Sequence, residues 1–213
     1  PDTVRRSVRD SIEQGLAGVD FVPNFFARNM NRKQTGIIGV IIPHLSDLFY
    51  MSLVKAIEER AEELGYSVII QDSRGKVEIE AKAIQALRSM NAEGIIVAPL
   101  GAIENTEMFQ SARKQCPLVF MDAKCPGVEA SFPFVGTDNF QAMGTMVDYL
   151  CKSGSPPVFL GMPVVNSNAQ ERQQAYYDRM VMRGFTPRVI SEVSVYSGWD
   201  FEDYAYSEMK KLF

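Results

Sequence analysis

GIIGVIIPHLSDLFYMSLVKAIEERAEEL, residues 36–64, carries the transition that decides the architecture. Its first eight residues, Gly36 to Pro43, are apolar almost without interruption, as in a strand buried on both faces. A polar and aromatic loop follows. Leu53, Val54, Ile57, Ala61 and Leu64 then recur at helical spacing, with Glu58, Glu59, Glu62 and Glu63 turned the other way. Residues 47–64 are therefore expected to form an amphipathic helix that Gly65 ends.

Working outward, the same alternation repeats. Strands are predicted at 66–71, 94–99, 117–122 and 132–135, with helices over 77–90 and 105–115 between them. Asp138 is placed to cap a helix reaching about residue 152. A strand at 157–162, a helix from 169 to 183, a strand at 188–195 and a helix from about 201 follow. Near-continuous apolar strands alternating with helices predict an α/β fold with parallel sheets covered on both faces and right-handed crossovers. The expected division is a leading segment, 1–35, a first sheet domain, 36–150, and a second, 151–213. The second holds only two clear strand–helix units, and the chain stops inside a predicted helix, so it is expected to continue beyond Phe213.

Composition narrows the function. Of 213 residues, 46% are apolar, enough for a substantial core, and the net charge is −4, unlike a protein coated in basic residues for nucleic acid. The charge is uneven: residues 1–33 hold six Lys and Arg against four Asp and Glu, while the remainder is acidic. A short basic arm on an acidic body suits an arm that meets phosphates. Cys116, Cys125 and Cys151 have no paired spacing, and His44 is the one histidine, so neither a disulfide framework nor a metal site is expected. No secretory signal opens the chain and no apolar run reaches a membrane span, so a cytoplasmic protein without membrane contact is expected.

In an open parallel sheet, ligands sit at the carboxyl ends of the strands. The residues just after the predicted strands include 44–50, 71–74, 99–101, Asp122, Thr137 and Asp138, and 163–168. They offer hydrogen-bonding side chains but no nucleophile–base pair; Ser46 has only His44 nearby, too close in sequence for a triad. A dinucleotide fingerprint is missing after the first strand, where PHLSDL stands, and Gly36 and Gly39 fall within the strand, where they suit close packing of a helix on the sheet. No enzyme activity and no cofactor are therefore expected. Phe49 and Tyr50 are core aromatics or a ligand's stacking face. Asp122 is a turn residue or an acceptor for ligand hydroxyls. Asn166, Ser167 and Asn168 read first as helix caps.

Residues 23–33, PNFFARNMNRK, form a basic segment too short to be a stable helix alone; it would fold only on a partner. Met30 at its end is the unbranched apolar side chain that can wedge between base steps in a minor groove.

VPNFFARNM, TGIIGVIIPHLSDLFY, GIIVAP, VFMD, FVGTDN and NSNAQERQQAYYDRMVMRGFTP, in this order and spacing, resemble the LacI/GalR family of bacterial transcription repressors from about residue 11 to the end. The resemblance implies a hinge helix and two Rossmann-like subdomains of the periplasmic-binding-protein type, the second incomplete here. It implies a homodimer that binds operator DNA and a small-molecule effector held between the subdomains, a sugar or sugar derivative. By resemblance, Arg172 clamps the effector, Asp122 lines the cleft, and Asn166 and Asn168 fall at polar contact positions. Phe49 and Tyr50 fall at aromatic or apolar contacts, and Trp199 lies within a residue of a stacking aromatic. Asn24, Ala27, Arg28 and Met30 would form the DNA-contacting hinge, Met30 standing where the family has Leu, and Ala175 stands where it usually has Gly. Nothing matches the family's DNA-reading helix, so the chain resembles a repressor trimmed at both ends. The rival readings are a periplasmic-type sugar-binding protein without DNA, which the PNFFARNM segment argues against, and an NAD-dependent enzyme, which the missing glycine fingerprint argues against.

Overall fold

A computed structural model of the chain describes residues 5–17, 34–161, 166–190 and 201–211. It divides into two units, Pro1–Thr35 and Gly36–Phe213. In the first, helix α1 (Arg6–Leu16) buries none of its residues, and Arg9 and Glu13 pair across one turn of its exposed surface. The hinge positions Asn24, Ala27, Arg28 and Met30 lie outside the described residues, as does Trp199.

The second unit follows the alternation expected from the sequence. Strand β1 (Ile37–Ile42), helix α2 (Leu48–Glu63), β2 (Ser67–Asp72), α3 (Val77–Ser89), β3 (Gly94–Val97), α4 (Thr106–Arg113), β4 (Leu118–Met121) and β5 (Phe134–Val135) come first. Their strands form one parallel sheet in the order β2-β1-β3-β4-β5, with Ile38 opposite Val68 on one side and Gly94 on the other. Helix α5 (Asn139–Leu150), β6 (Phe159–Leu160), α6 (Ser167–Met182), β7 (Val189–Ile190) and α7 (Phe201–Lys210) follow, with β6 and β7 paired in parallel as a second sheet. This is an α/β architecture of two parallel sheets, the second the smaller among the described residues.

Several strands are shorter than their apolar runs. β3 stops before Pro99, β4 starts after Pro117 and β5 after Pro133, because proline has no N–H to give a ladder. Pro133 still serves the sheet through its carbonyl, which accepts from Phe120 N at 2.9 Å. The predicted helix at 105–115 divides into a 3₁₀ turn, Ile103–Asn105, and α4.

The two faces of β1 meet different helices. Val40 and Ile42 pack with Tyr50 and Val54 of α2, and with Ala98 and Met121. On the opposite face, a Cβ on Gly39 would lie 2.3 Å from Leu87 Cδ1 of α3, whose side chain is fully buried. Gly39 is thus required for close packing, as expected, whereas Gly36 is required by its backbone, at φ +68° just before the strand. Gly39→Val is expected to cost about 2–3 kcal/mol through overpacking, read as a lower urea midpoint at unchanged slope.

α4 covers the same face as α3 farther along the sheet. Phe109 meets Phe120 of β4 edge-on at 5.2 Å, and Phe120 meets Phe132 at 4.6 Å. Around the second sheet, Val147 of α5 and Tyr176 and Met180 of α6 form the core, joined by Met143, Phe159 and Phe185. Asp148 of α5 binds both Arg179 of α6 and Arg183, the residue just past that helix, and these bonds hold its carboxyl below the usual carboxylate range.

One buried charge departs from the pattern read in the sequence. Glu80 of α3 is 0% exposed, and its carboxylate accepts from Leu100 N at 2.8 Å and Asn105 Nδ2 at 2.7 Å. Asn105 also donates to Val77 O at 2.9 Å. This network fastens the segment after β3 to α3.

Candidate functional site

Asp47 caps α2 by accepting from Phe49 N at 2.8 Å. That cap fixes the first turn and gives its two aromatics different fates. Phe49 is 48% exposed and Tyr50 is 6% exposed, with the rings edge-to-face at 5.1 Å. The Tyr50 hydroxyl donates to Asp122 Oδ2 at 2.9 Å. Burial, and then the neighbouring Asp122 charge and hydrogen bond, raise the Tyr50 phenol well above its ordinary pKa, so it remains a donor.

Asp122 follows β4 directly and adopts φ +65°, a left-handed conformation that Asp and Asn tolerate better than most residues. Its backbone N–H is held by Val135 O of β5 at 2.9 Å. Its other carboxylate oxygen, Oδ1, accepts from Asn168 Nδ2 in the first turn of α6 at 3.0 Å. Two bonds leave a carboxylate with further acceptor capacity.

Asn139, at the start of α5, ties the group together. Its amide donates to Asn168 Oδ1 at 3.0 Å and to Glu171 Oε2 at 2.7 Å, and its carbonyl accepts from Arg172 Nε at 2.8 Å. Asn139 and Asn168 are both buried, 1% and 7% exposed. Arg172 is exposed, and among the described residues no carboxylate pairs with its guanidinium. Lys124, two residues past Asp122, donates through its backbone N to Ser167 Oγ at 2.9 Å and through Nζ to Glu171 Oε1 at 2.8 Å.

Of the residues singled out in the sequence, Tyr50, Asp122, Asn168 and Arg172 thus converge, linked through Asn139. Phe49 lies at the rim. Asn166 caps α6, its Oδ1 accepting from Ala169 N at 3.1 Å. Sequence reasoning did not name Asn139, Lys124 or Glu171. The first has a usable signal: it opens a helix right after a strand, beside the cap Asp138, which accepts from Gln141 N at 2.9 Å.

The cluster lies at the carboxyl ends of β1, β4, β5 and β6, where an α/β sheet binds ligands. A fixed carboxylate, a carboxamide pair, a guanidinium and an aromatic face match a molecule with several hydroxyls and one apolar face. Among the described residues no group of three His, Cys, Asp and Glu could hold a metal, and no helix is long and apolar enough to cross a membrane. Phe49 and Asp122 also border an open apolar groove of about 800 Å³. It runs beside α2 over β3 and β4, along Leu53, Ile57, Ile96 and Val119.

Residues 35–200 match the model of the family described as periplasmic binding proteins and sugar binding domain of LacI family. The HTH-type transcriptional regulator PtxS of Pseudomonas aeruginosa is 27% identical over 167 residues, 78% of this chain and 48% of the relative. The HTH-type transcriptional repressor CytR of Escherichia coli is 28% identical over 155 residues, 72% of this chain and 44% of the relative. The chain therefore spans about half the length of the curated relatives it matches. Among solved structures, the lac repressor dimer bound to operator and the anti-inducer ONPF superposes with a TM-score of 0.80 at 21% identity, covering 98% of this chain and 62% of that one. The Cra transcriptional dual regulator of Pseudomonas putida in complex with fructose 1-phosphate gives 0.63 at 21% identity, covering 74% and 58%.

Proposed function

The chain belongs to the family of periplasmic binding proteins and LacI-type sugar-binding domains, and on that premise we propose that it is the effector-binding part of a ligand-responsive transcriptional repressor. Its effector, a sugar or sugar derivative, binds between the two sheets and alters operator affinity through the hinge. The observation that carries this reading is the convergence of Tyr50, Asp122, Asn139, Asn168 and Arg172 where the strands of both sheets end.

In this mechanism Asp122 accepts from effector hydroxyls, oriented by Tyr50 and Asn168. Arg172, turned by Asn139, donates from its free guanidinium edge. Phe49 stacks on the effector's apolar face. Asn166 contributes its amide group, its carbonyl oxygen being the helix cap, and Trp199, which lies outside the described residues, is proposed from the sequence alone as a further effector contact. Effector binding closes the two halves and shifts a homodimer contact along α2. This moves the hinge residues Asn24, Ala27, Arg28 and Met30 at the operator. The coupling is no larger than the effector's preference for one of the two states. No reaction step and no cofactor enter.

A thermal-shift panel of free sugars, sugar phosphates, nucleosides and nucleobases tests the reading. A member present at 100 times its dissociation constant is expected to add about 2.7 kcal/mol of stability. A folded protein that no class stabilises would count against a small-molecule effector of this kind.

A further inference from the structure

Three polar bonds among the described residues join the loop after β4, in the first sheet, to residues 167–171 at the start of α6, beside the second. Asp122 accepts from Asn168, the Lys124 backbone N–H donates to Ser167 Oγ, and Lys124 Nζ pairs with Glu171. The chain itself crosses between the two sheets at residues 136–138, from β5 to α5. The geometry is that of a hinge at one point and a clasp at another.

The Lys124–Glu171 pair differs from the other two bonds. The Asp122–Asn168 bond lies inside the proposed pocket and answers to the effector. The Ser167 bond is donated by the Lys124 backbone and survives any change of the Lys124 side chain. The ion pair stands beside the pocket, its side chains 31% and 23% exposed, so water screens it only in part. Both partners are held in place from behind. Lys124 Nζ sits 4.8 Å above the Phe134 ring, and Glu171 receives a second bond from Asn139, the first residue after the crossover. The further charged group acting on Glu171 is Asp138, which opposes its charge, while Arg172, the next residue of α6, is bonded to Asn139. Burial pushes the Glu171 carboxyl up, yet the bonds from Asn139 and Lys124 and the Lys124 charge outweigh it and leave the group below its ordinary value.

We infer that the Lys124–Glu171 ion pair is a latch that favours the closed arrangement of the two halves over the open one, so that it sets the bias from which an effector closes the cleft. The inference rests on the reading that the effector binds between the halves. Apparent affinity scales with the fraction of molecules already in the competent, closed state. Lys124 and Glu171 are positioning residues that tune this fraction without touching the effector.

The test needs no ligand. Spin labels at Glu78→Cys on α3 and Gln174→Cys on α6, both exposed positions, report the distance between the halves by double electron–electron resonance. Cys151→Ser removes the partly exposed thiol, while Cys116 and Cys125 are buried. The labelled full chain and its Lys124→Arg form are expected to share one distance distribution, a short closed component beside a longer open one. Lys124→Met is expected to lower the closed-to-open ratio about three- to fivefold, enlarging the longer component at the expense of the shorter. Raising the salt concentration should move the parent chain the same way. A Lys124→Met distribution identical to the parent's, with circular dichroism unchanged, would overturn the latch. If Lys124→Met does not fold, Glu171→Gln makes the same comparison. Because the readout is ligand-free, an unchanged distance leaves the effector site standing. An effector panel without a hit leaves the latch standing.

Discussion

Glu80→Ala is expected to lower the unfolding free energy by about 3–4 kcal/mol. The carboxylate is fully buried and receives Leu100 N and Asn105 Nδ2. Removing it orphans two buried donors, each costing about 1–3 kcal/mol, and leaves a void where the side chain stood. The pH dependence gives a second readout. Burial raises the Glu80 carboxyl above its ordinary pKa, against the bonds from Asn105 and Leu100 that lower it. A raised acid pKa means that the folded state holds the proton more tightly than the unfolded chain. The stability this contributes is complete below the unfolded value and is lost as pH rises through the folded one. The gap between the parent and Glu80→Ala should therefore narrow as urea unfolding is repeated from about pH 5 to pH 8. A gap that stays constant over that range would show that the carboxylate is already ionised in the folded protein and its pKa not raised.

Asp122→Asn is expected to weaken effector binding about 10- to 100-fold while leaving the fold in place. A hydrogen bond to a charged acceptor is worth about 1.5–3 kcal/mol, and the substitution removes the charge at nearly constant shape. Asn suits φ +65° as Asp does, so the backbone after β4 is not strained. The Tyr50 hydroxyl can turn to accept from the new amide, so its buried partner is not lost. Isothermal titration with any stabilising member of the panel, on parent and variant, measures the ratio. Equal affinity would remove Asp122 from the site.

Much of this arrangement is legible in the sequence, for a physical reason. A parallel strand buried on both faces must be apolar throughout, so GIIGVIIP and GIIVAP declare themselves without partners. The residues after such strands are then the ligand edge by topology alone, which points to Tyr50, Asp122 and Asn168. Other features resist because they depend on contacts distant in sequence. Glu80 reads as one more charge on a helix. Its burial depends on Asn105, 25 residues later, which looks like a helix start but serves as a partner instead of a cap. Lys124 and Glu171 are 47 residues apart, in two different sheets' surroundings. Leu64 falls on the apolar stripe of α2 by spacing, yet it is 58% exposed, because the helix ends one residue before it and, among the described residues, it borders an open groove over β3 and β4. In each case local pattern is overridden by what the fold brings alongside.

Amide hydrogen exchange with and without a stabilising ligand tests the central claim most directly, because it reports where the ligand acts. A site between the halves predicts slower exchange at residues 122–124, 136–139 and 167–172 together, two sheets' edges protected by one molecule. Protection confined to residues 53–64 and 117–119, along the apolar groove, or to one half alone, would contradict it.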